Sequence, residues 1–408
     1  MRRTYRVAIV GACPFPTAQG SQVLIRQLAE ALAARGHAVH IVTYHFGDTT
    51  PLSAALRLHR IPCVPGYDKV SSGPAWGKLV LDPLLLLLLV RVVRREAIEV
   101  IHAHNYEALL VSWLVGRLTG RPVVYHSHNV MAAELPGYFE QAWSRRLAGG
   151  LARTLDNQLP RRADACIALS PEAIPFFQAS GVREERLRLI PPGIDFDDAP
   201  ACEITRVRQE YGLGDGPVVI YTGNLDQYQR VDSLVRSFRA VRAARPDTQL
   251  IIASHSPPQQ YGRVVQRVGD CPGVRFIHCR TFDEARTLLM AADVAICPRM
   301  ACFGFPMKLL NYMAAGKPVV VAQGAAKGIR HLENGYVVRD EEGALAAGVL
   351  HVLQDPDLAR RLGAAARAAI AGRFQWAHAV REIERCYDDL TGCVSAPVRA
   401  DGRIGSSS

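Results

Sequence analysis

The sequence lacks three features that would each point to a different class of protein. Its 10 cysteines are scattered and form no CxxC pair, which argues against a disulfide framework or a zinc site and favours a reducing, cytoplasmic compartment. Its leucine-rich run, Leu79 to Val90, contains Asp82 and Pro83 and is shorter than the ~20 residues of a membrane-spanning helix. Aromatic residues are not interleaved along a basic stripe, so nucleic acid is not an expected partner.

The chain has the length and apolar content of a two-domain protein. It contains 408 residues, of which 49% are hydrophobic, and carries a net charge of +10. The charge is uneven, because residues 1–195 carry +7 and residues 196–408 carry +3. Such a balance suits an anionic partner, either a phosphorylated small molecule or an acidic membrane surface.

The first half alternates short β-rich runs with longer helical patterns, which is typical of βαβ units around a parallel sheet. Apolar spacing predicts helices over 20–35 and 78–95. The predicted strands are Arg6–Val10, Val39–Thr43, Val100–His102, Pro122–Tyr125, Ala165–Leu169 and Leu187–Ile190.

The same pattern restarts after a linker near residues 191–216. The predicted strands are Pro217–Thr222, Gln249–Ala253, Val274–His278, Val294–Cys297 and Pro318–Ala322, with helices over 231–244, 283–291 and 306–315. Two successive sheets predict two Rossmann-like domains, over residues 1–195 and 196–372. A C-terminal helix over 373–395 could cross back to the first domain, and residues 396–408 are expected to be a disordered tail.

Histidines follow two of the predicted first-domain strands. His126 and His128 come just after one strand, and His102 and His104 end its neighbour, so several imidazoles are expected to converge. Imidazole exchanges protons near neutral pH and hydrogen-bonds hydroxyl groups. Histidines that simply satisfy a strand end are an equal alternative, and a metal cluster is disfavoured because no spaced carboxylate accompanies them.

Glycine turns open the first helix of each domain. Gly20 follows the first strand, where a glycine and a helix N-terminus favour an anion, although an ordinary turn explains it equally well. Gly223 and Asn224 occupy the corresponding position in the second domain. Arg230, a few residues later, could pair with a phosphate or face solvent.

The segment from Phe303 to Val321 carries the strongest local signal. Gly304 allows close backbone approach, and Pro306 suits the first turn of a helix. Lys308 and Asn311 are three residues apart and therefore share a helix face. A cation and an amide at a helix N-terminus could hold a phosphate and a ribose hydroxyl together, whereas the alternative is a core helix with Lys308 in solvent.

Several segments, taken in order, resemble glycosyltransferase family 4 with the GT-B fold. They are Leu28–Val39, Val100–His104, Leu189–Asp195, Tyr221–Gly223, Phe303–Val321 and Asn334–Val337. The resemblance implies two Rossmann-like, doubly wound parallel-sheet α/β domains facing a cleft. The second domain would bind a nucleotide-activated sugar, and the first would supply most of the acceptor site. Transfer would need no metal or other cofactor and would usually retain the anomeric configuration.

The residue correspondence departs from the family pattern at four positions. Phe303 replaces a glutamate that would contact the donor sugar, and Asn311 replaces one that would contact the ribose. Asn224 and Gln229 replace two cations that would bind the diphosphate. Lys308, Arg230 and Arg299 are the candidate replacement cations.

The sequence therefore predicts transfer of a hexosyl unit from a nucleoside-diphosphate sugar to a glycan or lipid-linked acceptor. The resemblance places His128 beside the transferred sugar as the catalytic candidate. The donor-binding candidates are Gly20, Gly223, Asn224, Arg230, Gly304, Phe305, Met307, Lys308, Leu309 and Asn311, and the acceptor candidates are His104, Asn129 and Glu134. A sugar-nucleotide epimerase and a non-catalytic sugar-nucleotide or glycan-binding partner are the two alternatives.

The run from Leu79 to Val90 precedes Arg91, Arg94 and Arg95. Leucines beside arginines could bind the inner face of an anionic membrane peripherally. An ordinary buried helix of the first domain is the alternative interpretation.

Overall fold

The fold comes from a computed structural model that describes residues 3–17, 19–48, 51–68, 77–139, 141–269, 271–300, 304–341 and 343–392, without the side chains of Ala133 and Glu134. Phe303 and the predicted tail over 396–408 lie outside these residues. The described residues contain no helix that is both long and apolar enough to cross a membrane. The eight cysteines among them are all free.

Two parallel sheets organise the chain, as the alternating pattern predicts. The first sheet contains β1 (Arg6–Gly11), β2 (Ala38–Thr43), β3 (Leu56–Arg60), β4 (Val100–His104), β5 (Val123–His126), β6 (Ala165–Ala168) and β7 (Leu187–Leu189), in the order β3-β2-β1-β4-β5-β6-β7. The second contains β8 (Val218–Thr222), β9 (Gln249–Ser254), β10 (Val274–His278), β11 (Val294–Cys297), β12 (Val319–Ala322) and β13 (Tyr336–Val338), in the order β10-β9-β8-β11-β12-β13.

Helices connect the strands and cover both sheets. The first half contains α1 (Gly20–Ala34), α2 (Lys78–Arg95), α3 (Tyr106–Thr119), α4 (Met131–Glu134), α5 (Ala142–Gln158) and α6 (Ala173–Ala179). The second contains α7 (Ala201–Glu210), α8 (Val231–Ala244), α9 (Pro258–Val268), α10 (Phe282–Ala291), α11 (Met307–Ala314), α12 (Ala344–Gln354), α13 (Pro356–Arg373) and α14 (Trp376–Leu390). Helices on both faces bury central strands such as β4 and β12, which explains their valine and isoleucine content, whereas the edge strands β3 and β10 are partly exposed.

Three predicted strand starts are shifted by one residue for the same reason. The sequence predicts strands that begin at Pro122, Pro217 and Pro318, but β5 begins at Val123, β8 at Val218 and β12 at Val319. Proline has no N–H to donate to a ladder, so only its carbonyl takes part. The Pro122 oxygen accepts from Ile101 N, and the Pro318 oxygen accepts from Ala295 N, both at 3.0 Å.

The order of the strands defines where a ligand can bind. In the first sheet the connections reverse direction between β1 and β4, and in the second between β8 and β11. Open α/β sheets bind ligands beyond the carboxyl ends of the strands at such reversal points. The predicted site residues follow β1, β4, β5, β8 and β11, so the topology brings them to these two edges.

The last helix, α14, packs against the domain that contains the first sheet. Glu384 accepts hydrogen bonds from Arg35 at 2.7 and 2.8 Å and lies 2.8 Å from His37 Nε2. Arg188 reaches Asp389 at 3.2 Å. One continuous buried cluster contains Val7 of β1, Ile220 of β8 and Ile383 of α14. Helix α14 therefore contacts residues from the first half of the chain.

Candidate active site

Four histidines form a buried, stacked set at the carboxyl ends of β4 and β5. His102 Nε2 lies 3.1 Å from His126 Nδ1, and His104 Nδ1 lies 2.7 Å from His128 Nε2. The centroid of the His104 ring lies 5.0 Å from the centroid of the His102 ring and 4.9 Å from that of the His126 ring. The convergence that the sequence predicts is therefore present, and the rings bond to one another in pairs.

Tyr387 of α14 adds a hydroxyl to this set. Its oxygen lies 2.6 Å from His102 Nδ1, and both residues are buried. The hydrogen bond fixes the orientation of the His102 ring, which in turn contacts His126. Sequence reasoning missed Tyr387, because no local motif marks a partner 285 residues away.

Burial keeps the four imidazoles neutral. Desolvation lowers the pKa of His102 to about 3 and that of His128 to about 4. Desolvation, followed by repulsion from neighbouring histidines, lowers the pKa values of His104 and His126 well below the ordinary value. At neutral pH the set therefore presents hydrogen-bonding nitrogens rather than positive charge.

His102, His104 and His126 are also the described residues whose ring nitrogens come close enough to suggest a metal site, with these atoms within 4.8 Å of one another. A zinc ion at ~2.0–2.1 Å from each nitrogen needs them within about 4.2 Å, and it must lie in the plane of each ring. The His102 and His104 rings are nearly parallel, with an interplanar angle of 10°. Stacked rings cannot share one in-plane ion without rotating, so the arrangement fits ring-to-ring hydrogen bonding better.

Lys308 is held at the start of α11, beside the carboxyl end of β8. Its Nζ donates to Tyr221 Oη and to Gln229 Oε1, both at 2.8 Å, and lies 4.0 Å from the Tyr221 ring centroid. Gln229 is one of the positions where the resemblance places a family cation. The side chain there holds Lys308 in place, so a cation stands at this edge although the aligned residue is neutral.

The glycine turn after β8 makes room for that lysine. Gly223 has φ +135°, a conformation that side chains rarely adopt, and a Cβ there would lie 2.8 Å from Lys308 Nζ. Asn224 Nδ2 donates to Asp226 and to the Tyr228 hydroxyl, both at 3.1 Å.

The other two candidate replacement cations, Arg299 and Arg230, contact different residues. The Arg299 guanidinium lies 4.8 Å from the Tyr228 ring centroid, on the same edge as Asn224. Arg230 is exposed, and its guanidinium contacts Ser233 at 3.4 Å. Arg230 is therefore placed outside the Lys308 cluster.

Gly304 brings the second sheet's edge against the first. A Cβ at Gly304 would lie 1.9 Å from the His128 carbonyl oxygen and 2.5 Å from Asn129 Oδ1. Only glycine permits this approach, since real Cβ atoms never come so close to backbone. The two edges therefore meet where Gly304, four residues before Lys308, contacts His128.

The helix predicted over 306–315 is α11, Met307–Ala314, and Pro306 precedes it with an extended backbone instead of forming its first turn. Met307 begins the helix, Lys308 and Asn311 are half-buried, and Phe305 is buried before it. The amide of Leu309 donates to Pro306 O at 2.9 Å. That amide closes the helical turn, so the amides of Met307 and Lys308 are better placed for an anion.

Two candidates remain, Gly20 and Glu134. Gly20 begins α1 and borders open space, because nothing lies within 4 Å of a Cβ built there. The backbone of Glu134 ends α4, but its side chain is not described.

Comparison with known families matches both halves of the chain. Residues 18–198 match the model of Glycosyltransferase Family 4, and residues 216–355 match Glycosyl transferases group 1. A D-inositol 3-phosphate glycosyltransferase of Nocardia farcinica is 25% identical, with 95% of this chain and 90% of that protein covered. One of the same description from Acidothermus cellulolyticus is 27% identical over 95% of this chain and 90% of that protein.

Solved structures share the architecture. A sucrose-phosphate synthase from Thermosynechococcus elongatus superposes with a TM-score of 0.80 at 21% identity, covering 96% of this chain and all of that one. HepE of Anabaena, solved with UDP-glucose, gives a TM-score of 0.74 at 20% identity, covering 94% and 100%. These likenesses establish the GT-B fold. Because the family models match residues 18–198 and 216–355 and the fold is GT-B, the chain belongs to glycosyltransferase family 4.

Proposed function

We propose that the chain transfers a hexosyl unit from a nucleoside-diphosphate sugar to a glycan or lipid-linked acceptor, with retention of anomeric configuration and without a metal ion. The observation that carries the proposal is the contact of Gly304 with His128, which sets the start of α11 against the histidine set. A sugar joined to a diphosphate at α11 would then lie beside His128.

The second sheet's edge supplies groups suited to a diphosphate. Lys308 brings an ammonium group, and the start of α11 adds the positive end of the helix dipole. Leaving-group charge grows on the diphosphate as the glycosidic bond breaks, so fixed positive groups here stabilise the transition state. Asn311, three residues on, is placed for a ribose hydroxyl.

The first sheet's edge supplies neutral hydrogen-bonding groups. His128 has a lowered pKa and bonds through Nε2 to His104, so its ring is oriented by a second imidazole. A neutral imidazole hydrogen-bonds a sugar hydroxyl without repelling the positive charge that develops at the anomeric carbon. We assign His128 to the transferred sugar, with Asn129 and His104 toward the acceptor.

The donor is tested first by thermal denaturation with UDP-, GDP-, ADP- and dTDP-sugars. We expect one base to stabilise the fold, because a ligand that binds only the folded state raises its apparent stability. HepE was solved with UDP and UDP-glucose, so UDP-sugars are the first choice.

Turnover of the stabilising donor then separates the possible activities. We expect His128→Ala to lower the rate of donor hydrolysis or transfer by about 10²-fold, with His378→Ala, an exposed α14 residue, as the matched control. Formation of an epimerised sugar nucleotide, or no turnover with any acceptor, would contradict the transferase proposal.

We also propose that α2 contacts the inner face of a membrane peripherally. Leu79 and Leu87 of this helix are 71% and 65% exposed, whereas Leu85 is buried. Arg91 and Arg94 are exposed near its end. Replacing Leu79 and Leu87 with glutamate should reduce co-sedimentation with anionic vesicles. Unchanged co-sedimentation would leave α2 a purely structural helix.

A further inference from the structure

A basic pocket lies at the edge of the first sheet opposite the histidines. It has a volume of about 560 Å³ and is lined by Pro122 and Val123 at the start of β5, by Asp164 before β6 and by Arg186 before β7. The strands are parallel, so this is their amino-end edge, whereas His126 ends β5 at the other. A four-residue strand separates the edges by about 13 Å.

Five arginines surround this pocket. They come from the end of α3, the turn after α5 and the residue before β7: Arg117, Arg121, Arg161, Arg162 and Arg186. Asp164 is the single carboxylate in the lining, and its Oδ2 accepts from Val123 N at 2.8 Å. The lining therefore carries a strong excess of positive charge.

The arginines of the pocket differ from two neighbouring arginines in their charged partners. Within the described residues, none of the five forms an ion pair with a carboxylate, whereas the nearby Arg183 and Arg188 pair with Glu185 and Asp389. Arg162 stacks on Trp113 at 4.7 Å, and Arg186 donates to Ala163 O at 3.2 Å. These contacts orient guanidinium groups but leave their charge uncompensated.

Concentrated positive charge that the protein does not neutralise is stabilised by an anion from outside. Guanidinium groups bind phosphate oxygens through paired N–H donors, and a concave wall with several of them favours a ligand bearing more than one charge. The volume is in the range of small-molecule sites. We propose that this pocket binds a ligand with two or more phosphate charges, separately from the candidate active site and independently of the proposed function.

The phosphate can reach the pocket in solution or on a lipid. Leu110, Leu114 and Leu118 form an exposed stripe along α3, the helix that also carries Arg117. An apolar stripe beside arginines suits an acidic lipid surface, where headgroup phosphates would enter the pocket. Inorganic pyrophosphate and phospholipid vesicles therefore serve as two separate probes.

The test uses the full chain and the double variant Arg117→Gln/Arg121→Gln. Both side chains are exposed, and within the described residues neither makes an ion pair or a hydrogen bond, so the fold should be unaffected. The matched control, Arg360→Gln/Arg385→Gln, removes the same charge from exposed arginines that are paired with Asp357 and Glu382. Binding is measured by calorimetry with pyrophosphate and by co-sedimentation with phosphatidylcholine vesicles with or without 30% phosphatidylglycerol.

We expect the pocket variant to bind about 30-fold more weakly to at least one probe, since each near-surface basic side chain contributes about fivefold. The control should stay within about twofold of the unchanged protein. Loss of pyrophosphate binding identifies a soluble ligand, and loss of vesicle binding alone identifies a headgroup. Equal weakening of both variants, or no binding of either probe, would overturn the proposal.

Discussion

The two sheets present their carboxyl ends to the same cleft but arrange polar groups there in opposite ways. The first sheet offers four imidazoles that burial keeps neutral and that bond to one another. The second offers a lysine held by a tyrosine hydroxyl and a glutamine amide. Positive charge is thus concentrated on one wall of the cleft, which is the division that a sugar joined to a diphosphate requires.

The largest effect is expected from removing the positive charge of Lys308, which lies on the wall of the cleft that the second sheet forms. Lys308→Ala should lower transfer or donor hydrolysis by about 10²–10³-fold, because an anion-stabilising donor is lost. Arg230→Ala should change the rate less than about threefold, since this exposed side chain contacts Ser233 and not the cluster. Steady-state rates with the stabilising donor measure both. Equal losses would mean that the position of Lys308 beside Tyr221 and Gln229 gives its charge no special role.

The contact between the walls is tested at Gly304. Gly304→Ala places a Cβ where the His128 carbonyl stands, so the walls must separate, and a displacement near 1 Å lowers the rate by about 10²-fold. Gly150→Ala in α5 is the control, because its added methyl meets nothing within 4 Å. Full activity of Gly304→Ala would show that catalysis does not use this closed contact.

The hydrogen bond from α14 to the histidine wall should affect stability more than rate. Tyr387→Phe leaves His102 Nδ1 buried without its partner, which costs about 1–3 kcal/mol in the free energy of unfolding. Urea denaturation measures that loss, and the rate at saturating donor should stay close to that of the unchanged protein. A large fall in rate with unchanged stability would instead assign Tyr387 to the reaction.

The neutral wall also predicts a pH dependence of stability. Folded His102 and His128 stay unprotonated down to pH values near 3 and 4, but the unfolded chain takes up protons below about 6.5. The free energy of unfolding should therefore fall as pH falls below 6.5.

Removing one of these histidines should flatten that dependence. His126→Asn should reduce its slope by at most about 1.4 kcal/mol per pH unit between pH 6 and 5, with parallel curves above pH 7.5. Urea titrations at several pH values test this. Identical slopes at pH 5 to 6 would mean that His126 is not held neutral.

The sequence predicted the fold well because its signals are periodic and local. The helix over 231–244 and the strands Val274–His278 and Val294–Cys297 occur with the predicted bounds. The C-terminal helix predicted from residue 373 starts instead at Trp376 as α14, because α13 extends to Arg373. The break at Phe374 buries that ring, a tertiary effect that spacing alone does not reveal.

The site could be predicted only in part, because its parts come from distant strands. The positions of His104, His128 and Lys308 at strand and helix ends were accessible from the motifs. The pairing of Lys308 with Tyr221 and Gln229, and of His102 with Tyr387, depends on the three-dimensional fold. The family resemblance shows that Gln229 stands where a cation is expected. Only the three-dimensional structure shows that Gln229 accepts a hydrogen bond from a different cation, Lys308.

The return of α14 to the first sheet has a consequence for how the protein is made. His102 and Tyr387 are 285 residues apart, so a ribosome adding 5–20 residues per second makes Tyr387 roughly 15–60 s after the strand that carries His102. During that interval His102 lacks the Tyr387 hydroxyl as a partner. Arg35 and His37 likewise lack the carboxylate of Glu384. The earliest part of the chain to be synthesised is therefore among the last to be completed.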